Sequence, residues 1–190
     1  MKFDIILSGV GGQGVLSVSA IIASSAMKEG LYVKQSEVHG MAQRGGAVLA
    51  NLRLSDKPVA SDLIPKGEAS LLLSMEPLES LRYLAYLSPQ GTLITSSNPV
   101  VNIPDYPDLS AILDTIRSLP HAVILDADDL ARKAGSGRAS NMVIVGAASP
   151  LLPVRRETIE KLIRDTFARK GEKVVETNLK AFESGRERGH

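Results

Sequence analysis

The sequence predicts an α/β fold, a three-layer Rossmann-like domain with a mainly parallel sheet. Two observations carry this reading. Short apolar runs of strand length alternate with segments whose apolar residues recur at helical spacing, and glycine-rich turns separate the two kinds. The chain also opens with strand, glycine turn, helix and strand, the order of a right-handed βαβ crossover.

Each element follows from its local pattern. Residues 3–7 form an apolar run that stops at Ser8 and Gly9, after which Val15, Val18, Ile22 and Ala26 mark one face of a helix. Gly30 closes that helix, and residues 31–33 begin a second strand. Residues 47–55 alternate, with Val48, Ala50, Leu52 and Leu54 on one face and Asn51, Arg53 and Ser55 on the other. A half-exposed strand is expected there, its polar face meeting water or a partner. Residues 71–73 are a buried strand, Pro77 suits the first turn of a helix reaching residue 87, and residues 91–95 return to strand. Pro99, Pro104 and Pro107 make 98–107 an extended connection. A helix over 111–119, a strand over 122–125 and a short helix from Asp126 to Lys133 follow. Residues 142–148 fit helix or strand. Residues 156–170 form an amphipathic helix with Ile159, Leu162, Ile163 and Phe167 on one stripe and Gly171 as its stop. A final helix covers 174–183, and 184–190 should fray.

Composition excludes several function classes. The 190 residues carry 22 Lys and Arg against 21 Asp and Glu, a net charge of +1, which leaves no surplus for nucleic acid as the main partner. Without cysteine there is no disulfide, no thiolate-ligated iron–sulfur cluster and no cysteine nucleophile on this chain. His39, His121 and His190 are scattered, so no metal site is expected. Residues 5–27 lack charge, but their glycines and serines interrupt what a membrane span would need, and Asp4 spoils a secretory signal. A soluble, cytoplasmic protein with one domain over residues 1–190 is expected.

Two segments carry candidate chemistry. Gly9, Val10, Gly11, Gly12, Gln13 and Gly14 spell GxGxxG between the first strand and first helix, where free amides and the positive helix end favour an anion such as a pyrophosphate. A packing turn against another chain is the alternative. A nicotinamide enzyme also needs an acidic residue closing the second strand, about 20 residues on. Lys34, Gln35 and Ser36 stand there instead, and Glu37 serves only if the strand runs on. The second segment, Ser36 to Gly46, is read as a loop. It offers Glu37 and His39 as possible proton carriers, Gln43 as donor or acceptor and Arg44 as an anion fork. An internal Glu37–Arg44 ion pair would explain the same residues. Asp126, Asp128 and Asp129 read as helix caps rather than metal ligands, and Asn141 and Asn178 fit either site or structural roles.

Gly9 to Val15, with Ser36-Glu37-Val38-His39-Gly40-Met41-Ala42-Gln43-Arg44-Gly45-Gly46, resembles the small (beta) subunit of indolepyruvate:ferredoxin oxidoreductase. More broadly it resembles the gamma subunit or domain of the 2-oxoacid:ferredoxin oxidoreductases. Asn141 to Ala147 and Glu176 to Phe182 extend the similarity over nearly the whole chain. The resemblance implies a complex that decarboxylates a 2-oxoacid to acyl-CoA. Thiamine diphosphate, its Mg ion and the iron–sulfur clusters would lie on a large catalytic partner, which passes electrons to ferredoxin. This chain would bind no cofactor alone. Gly9, Gly11, Gly12, Gln13, Gly14, Gln43 and Arg44 would complete the partner's site, touching coenzyme A or the partner-held thiamine diphosphate. Two other functions stay open: a stand-alone NAD(P)-binding oxidoreductase and a purely structural assembly domain.

Overall fold

The computed structural model describes residues 1–39 and 45–189, with His39 described through its backbone alone. Six strands, β1 (Lys2–Val10), β2 (Tyr32–His39), β3 (Ala47–Ser55), β4 (Ala69–Ser74), β5 (Leu87–Ser96) and β6 (Ala122–Leu125), form one sheet in the order β2-β3-β1-β4-β5-β6. Strand β3 runs antiparallel to both neighbours, and the remaining pairs are parallel. The helices are α1 (Val15–Lys28), α2 (Pro77–Arg82), α3 (Leu109–Arg117), α4 (Ala127–Ala134), α5 (Ser140–Ala148), α6 (Arg156–Phe167) and α7 (Glu172–Arg186).

The period-2 geometry of the strands divides the core in two. Ile5, Leu7, Leu52, Leu54, Leu71, Leu73 and Ile94 face one side and pack with α1, α5, α6 and α7. Ile6, Leu72 and Leu93 face the other and pack with Ile112 and Ile116 of α3. Central strands buried on both faces therefore read as unbroken apolar runs, which is why residues 3–7 and 71–73 were legible.

The structure alters the expected order at one place. Strands β1 and β2 are parallel and joined through α1, but they are not neighbours, because β2 turns back through a hairpin and its return strand β3 occupies the place beside β1. The polar face of β3 is also covered rather than open. Arg53 donates Nε to Asp4 Oδ1 and Nη2 to Asp4 Oδ2, both at 3.0 Å, while Nη1 donates to the carbonyls of Ser61 (3.1 Å) and Leu63 (2.9 Å). Asn51 Oδ1 accepts from the Ile64 amide at 3.1 Å. The segment after β3 thus folds back over it, accepting two bonds from Arg53 and donating one to Asn51.

Smaller differences have local causes. The helix at Pro77 stops at Arg82, and a single 3-10 turn, Leu84–Tyr86, leads into β5. Residues 142–148 are helical, as α5. The terminal helix does not fray at residue 184. It runs to Arg186, because Gly146 lies against the Phe182 carbonyl and Gly185 against that of Val143, a backbone-to-backbone fit with no room for a Cβ at either glycine. No helix is long and apolar enough to cross a membrane among the described residues, and residues 5–27 divide into β1, a turn and α1.

Gly146→Ala should lower the unfolding free energy by about 2–3 kcal/mol in urea denaturation, since backbone on α7 must move to admit a methyl group. Gly137→Ala, whose added methyl would meet only Arg132 Cγ at 3.7 Å, should stay within about 0.5 kcal/mol of the parent.

Candidate functional site

The C-terminal ends of β1, β2, β4, β5 and β6 share one edge of the sheet. From β1 the chain leaves to one side for β2 and β3, then crosses to β4 on the other, so the strand order reverses between β1 and β4. Ligands of open α/β sheets bind at such reversals. The glycine turn lies there.

Geometry explains its composition. Gly12 (φ +105°) and Gly14 (φ +83°) hold left-handed backbone, and a Cβ at Gly9 would meet Val15, Gln13 and Met75 within 2.9–3.0 Å. Gln13 occupies the space so released. Its Oε1 accepts from the Val10 amide (2.8 Å) and its Nε2 donates to the Met75 carbonyl (3.0 Å), tying the end of β1 to that of β4. The Gly11 amide donates to the Gly46 carbonyl at 2.8 Å, and the Gly45 amide donates to the Gly11 carbonyl at 3.3 Å. The turn and the β2–β3 hairpin are therefore fastened directly. Gly12 and Gly14 are the turn glycines whose amides find no acceptor among the described residues.

The proline-rich connection after β5 crosses the same edge. Asn98 joins it to α4 by donating Nδ2 to Asp126 (3.0 Å) and accepting the Asp128 amide on Oδ1 (3.0 Å). Asn102 donates Nδ2 to the Gly45 carbonyl at 2.7 Å. Tyr106 donates its hydroxyl to Glu76, which also caps α2 by accepting the Glu79 amide at 2.7 Å. Between this strap and the turn lies a cavity of about 230 Å³, with Gln13, Met75, Asn98, Val100, Asp128 and Asn141 in its wall. Asn141 stands in the first turn of α5, which has no side-chain cap. Its Oδ1 is buried without a hydrogen-bond partner among the described residues, and its Nδ2 lies 3.1 Å from where a Cβ on Gly14 would sit. A polar ligand that donates to Oδ1 would relieve that deficit.

Beneath the strap are two buried carboxyls, Glu76 and Glu79. Burial raises the pKa of Glu79 above its ordinary value of 4.5, against the opposing pull of Arg82, whose Nε is 3.1 Å from Oε1. Burial, reinforced by the bond to Glu76, also raises that of the Tyr106 phenol. Glu76, Tyr106 and Asn102 were not singled out from sequence; a carboxylate just before Pro77 was the one available sign of a capping residue.

The other candidates are distributed as follows. Strand β2 extends through Glu37 and His39, which are paired with Ala50 and Val48 rather than lying in a loop. Gln35 Nε2 donates to the Glu37 carboxylate. Gln43, Arg44 and the His39 side chain lie outside the described residues, and with them the Glu37–Arg44 ion pair. Asp126 is the cap of α4, accepting the Asp129 amide at 2.9 Å. That bond and the one from Asn98 lower its pKa. Asp129 pairs with Lys133 at 2.6 Å, and no group of three or more metal-ligating side chains occurs among the described residues.

The family model for pyruvate ferredoxin/flavodoxin oxidoreductase matches residues 4–188. The chain belongs to this family. Within the pyruvate ferredoxin/flavodoxin oxidoreductase family, it is 38% identical to indolepyruvate oxidoreductase subunit IorB of Archaeoglobus fulgidus, covering 97% of this chain and 94% of that one. The gamma subunit of a keto/oxoacid ferredoxin oxidoreductase from Geobacter sulfurreducens superposes with a TM-score of 0.74 at 28% identity, covering 100% of this chain and 97% of that one. A 2-oxoglutarate:ferredoxin oxidoreductase from Magnetococcus marinus, with 2-oxoglutarate, coenzyme A and succinyl-CoA bound, shares the fold. Its TM-score is 0.79 at 22% identity, over 99% of this chain and 31% of that chain.

Gln13→Ala should cost about 1–2 kcal/mol and raise amide exchange at Val10 above that of the rest of β1, because this buried amide loses its acceptor. Equal exchange in parent and variant would show that the turn holds itself. A second prediction concerns acid. Because folding raises the pKa of Glu79, the folded state binds this proton more tightly than the unfolded chain. Its contribution to stability is therefore greatest below the unfolded value of 4.5 and declines as pH climbs to the folded value. Glu79→Gln should remove that decline in urea titrations between about pH 4 and pH 7.

Proposed function

We propose that this chain is the small, gamma-type subunit, one domain over residues 1–190, of a cytoplasmic 2-oxoacid:ferredoxin oxidoreductase acting on indolepyruvate or another arylpyruvate. One observation carries the reading: the glycine turn, the hairpin and the proline-rich strap are bonded into one rim around the strand-order reversal, on a chain with no cysteine to hold a cluster. The cofactor inventory is then divided between subunits. Clusters need thiolates that this sequence lacks, so they and the thiamine diphosphate with its Mg ion belong to a large catalytic partner, which delivers electrons to ferredoxin. Thiamine diphosphate supplies the electron sink for decarboxylation. The part left to this chain is to close the site wall, exclude water and orient the acyl acceptor.

Coenzyme A fits that part. The turn amides of Gly12 and Gly14 and the N-terminal end of α5 suit its phosphates, the Asn141 Oδ1 suits an amide N–H, and Arg44 suits an anion. Gly9 gives the turn its close approach, Gly11 and Gln13 fix its shape, and Glu37 and His39 are the candidate proton carriers. The nicotinamide alternative loses support from topology. An acidic residue at the end of β2 is separated from β1 by β3, two strand spacings or roughly 10 Å away, where a ribose on the glycine turn would not reach it.

The test is co-expression with the catalytic subunit and an assay of indolepyruvate-dependent ferredoxin reduction. Arg44→Ala should leave assembly intact and lower kcat/KM for coenzyme A or the oxoacid about tenfold or more. Full turnover in an assembled Arg44→Ala complex would favour the purely structural role, and oxidation of an oxoacid by the chain alone would contradict the reading outright.

A further inference from the structure

The proline-rich strap over residues 98–107 makes no backbone-to-backbone bond to any strand or helix among the described residues. Its two ends are fixed. The Ser97 amide donates to the Leu125 carbonyl at 2.7 Å, and the Asp108 carboxylate caps α3 by accepting the Ala111 amide at 3.3 Å. Between these points Pro99, Pro104 and Pro107 restrict the backbone, so the segment behaves as one stiff piece. Side chains decide whether that piece lies against the sheet edge.

Beyond Asn98, three bonds hold the strap among the described residues, and two of them end on one atom. Glu76 Oε1 accepts the Val100 amide at 3.4 Å and the Tyr106 hydroxyl, so it grips the strap near both ends. The third, from Asn102 Nδ2 to the Gly45 carbonyl, is exposed and competes with water. Glu76 is 1% exposed and firmly seated. Its Oε2 accepts the Glu79 amide at 2.7 Å, and its carbonyl accepts from Ser74 Oγ at 2.7 Å and from the Ser80 amide at 3.1 Å. Bonds to a buried carboxylate are the stronger kind. What this grip closes is the cavity at the sheet edge. Pro99 and Val100 form its strap-side wall, while Met75 and Ala127, 4% and 2% exposed, line the opposite part. Its volume of about 230 Å³ falls below the roughly 300–1,000 Å³ of small-molecule sites. A ligand of ordinary size therefore enters only if the strap lifts.

We propose that Glu76 is a positioning residue, the latch of a strap that opens by releasing Val100 and Tyr106 and closes over a ligand at the sheet edge. Ser97 and Asp108 are the hinges. The gating role rests on the reading of the sheet edge as a ligand site given above; the motion of the strap does not.

A chain without cysteine allows a direct test. Ala127→Cys places the sole thiol in the cavity wall, where its rate of reaction with dithiobis(nitrobenzoate) reports how often the strap is open. Adding Tyr106→Phe, which removes one grip and leaves the cap of α2 in place, should raise that rate about tenfold or more, and Glu76→Gln should raise it further. Ala26→Cys, 0% exposed within α1, is the control, and Tyr106→Phe should leave its rate unchanged. A rate at Ala127→Cys indifferent to Tyr106→Phe, or an equal rise at both positions, would overturn the latch. In the complex with the catalytic subunit, Tyr106→Phe should raise KM for coenzyme A or the oxoacid about threefold or more while kcat stays within about twofold of the parent. An unchanged KM would overturn the gate. A parent complex that reduces no ferredoxin would count against the subunit reading alone, and the thiol rates would still decide the strap.

Discussion

A single carboxamide closes the gap that the topology opens. Where strand order reverses, the C-terminal ends of β1 and β4 diverge into different connections, and the Gln13 side chain bridges them by serving one backbone group on each. The glycines around it are a consequence of that bridge. Any side chain at Gly9 would occupy the space that Gln13 and Met75 fill, and the left-handed backbone at Gly12 and Gly14 returns the chain quickly enough for α1 to begin at Val15.

A second layer of order is built on this bridge. The glycine turn exchanges amide bonds with the hairpin, the hairpin accepts the Asn102 carboxamide, and the strap carrying Asn102 is fixed at Glu76 and at Asp126. The rim is thus a closed circuit of hydrogen bonds from β1 to β6. Cooperative networks of this kind are stiff where every member is satisfied and weak where one is not. The two unsatisfied oxygens nearby, Asn141 Oδ1 and Glu79 Oε2, mark where it is incomplete.

Much of this architecture was legible in the sequence, for identifiable reasons. Strands buried on both faces are unbroken apolar runs, and the helix at 156–167 has one apolar stripe, so residues such as Leu72 and Ile163 announced their elements. Glycine at position 30 marked a helix end in the same way, with φ +80°. What stayed hidden was pairing over long separations. Nothing in β3 itself states that it will lie beside β1, and the alternation that suggested an open polar face was correct about the pattern but silent about the cover. Asp4 and Arg53 each look like a surface charge until the fold sets them 3.0 Å apart. In the candidate site the glycine turn was legible from its spacing, whereas the segment from Ser36 read as a loop and is strand as far as His39; the Gln13 bonds to two backbone groups, and the roles of Glu76 and Tyr106, left no periodic signal.

The clasp between Gly11 and the approach to β3 is made of main chain alone. Ladder register holds Val10 opposite Ala47, and the two amide bonds hold Gly45 and Gly46 against Gly11, so the approach to β3 is anchored to the glycine turn. A displacement of the glycine turn is therefore passed to β3 through main-chain bonds, independent of the side chains that either segment carries.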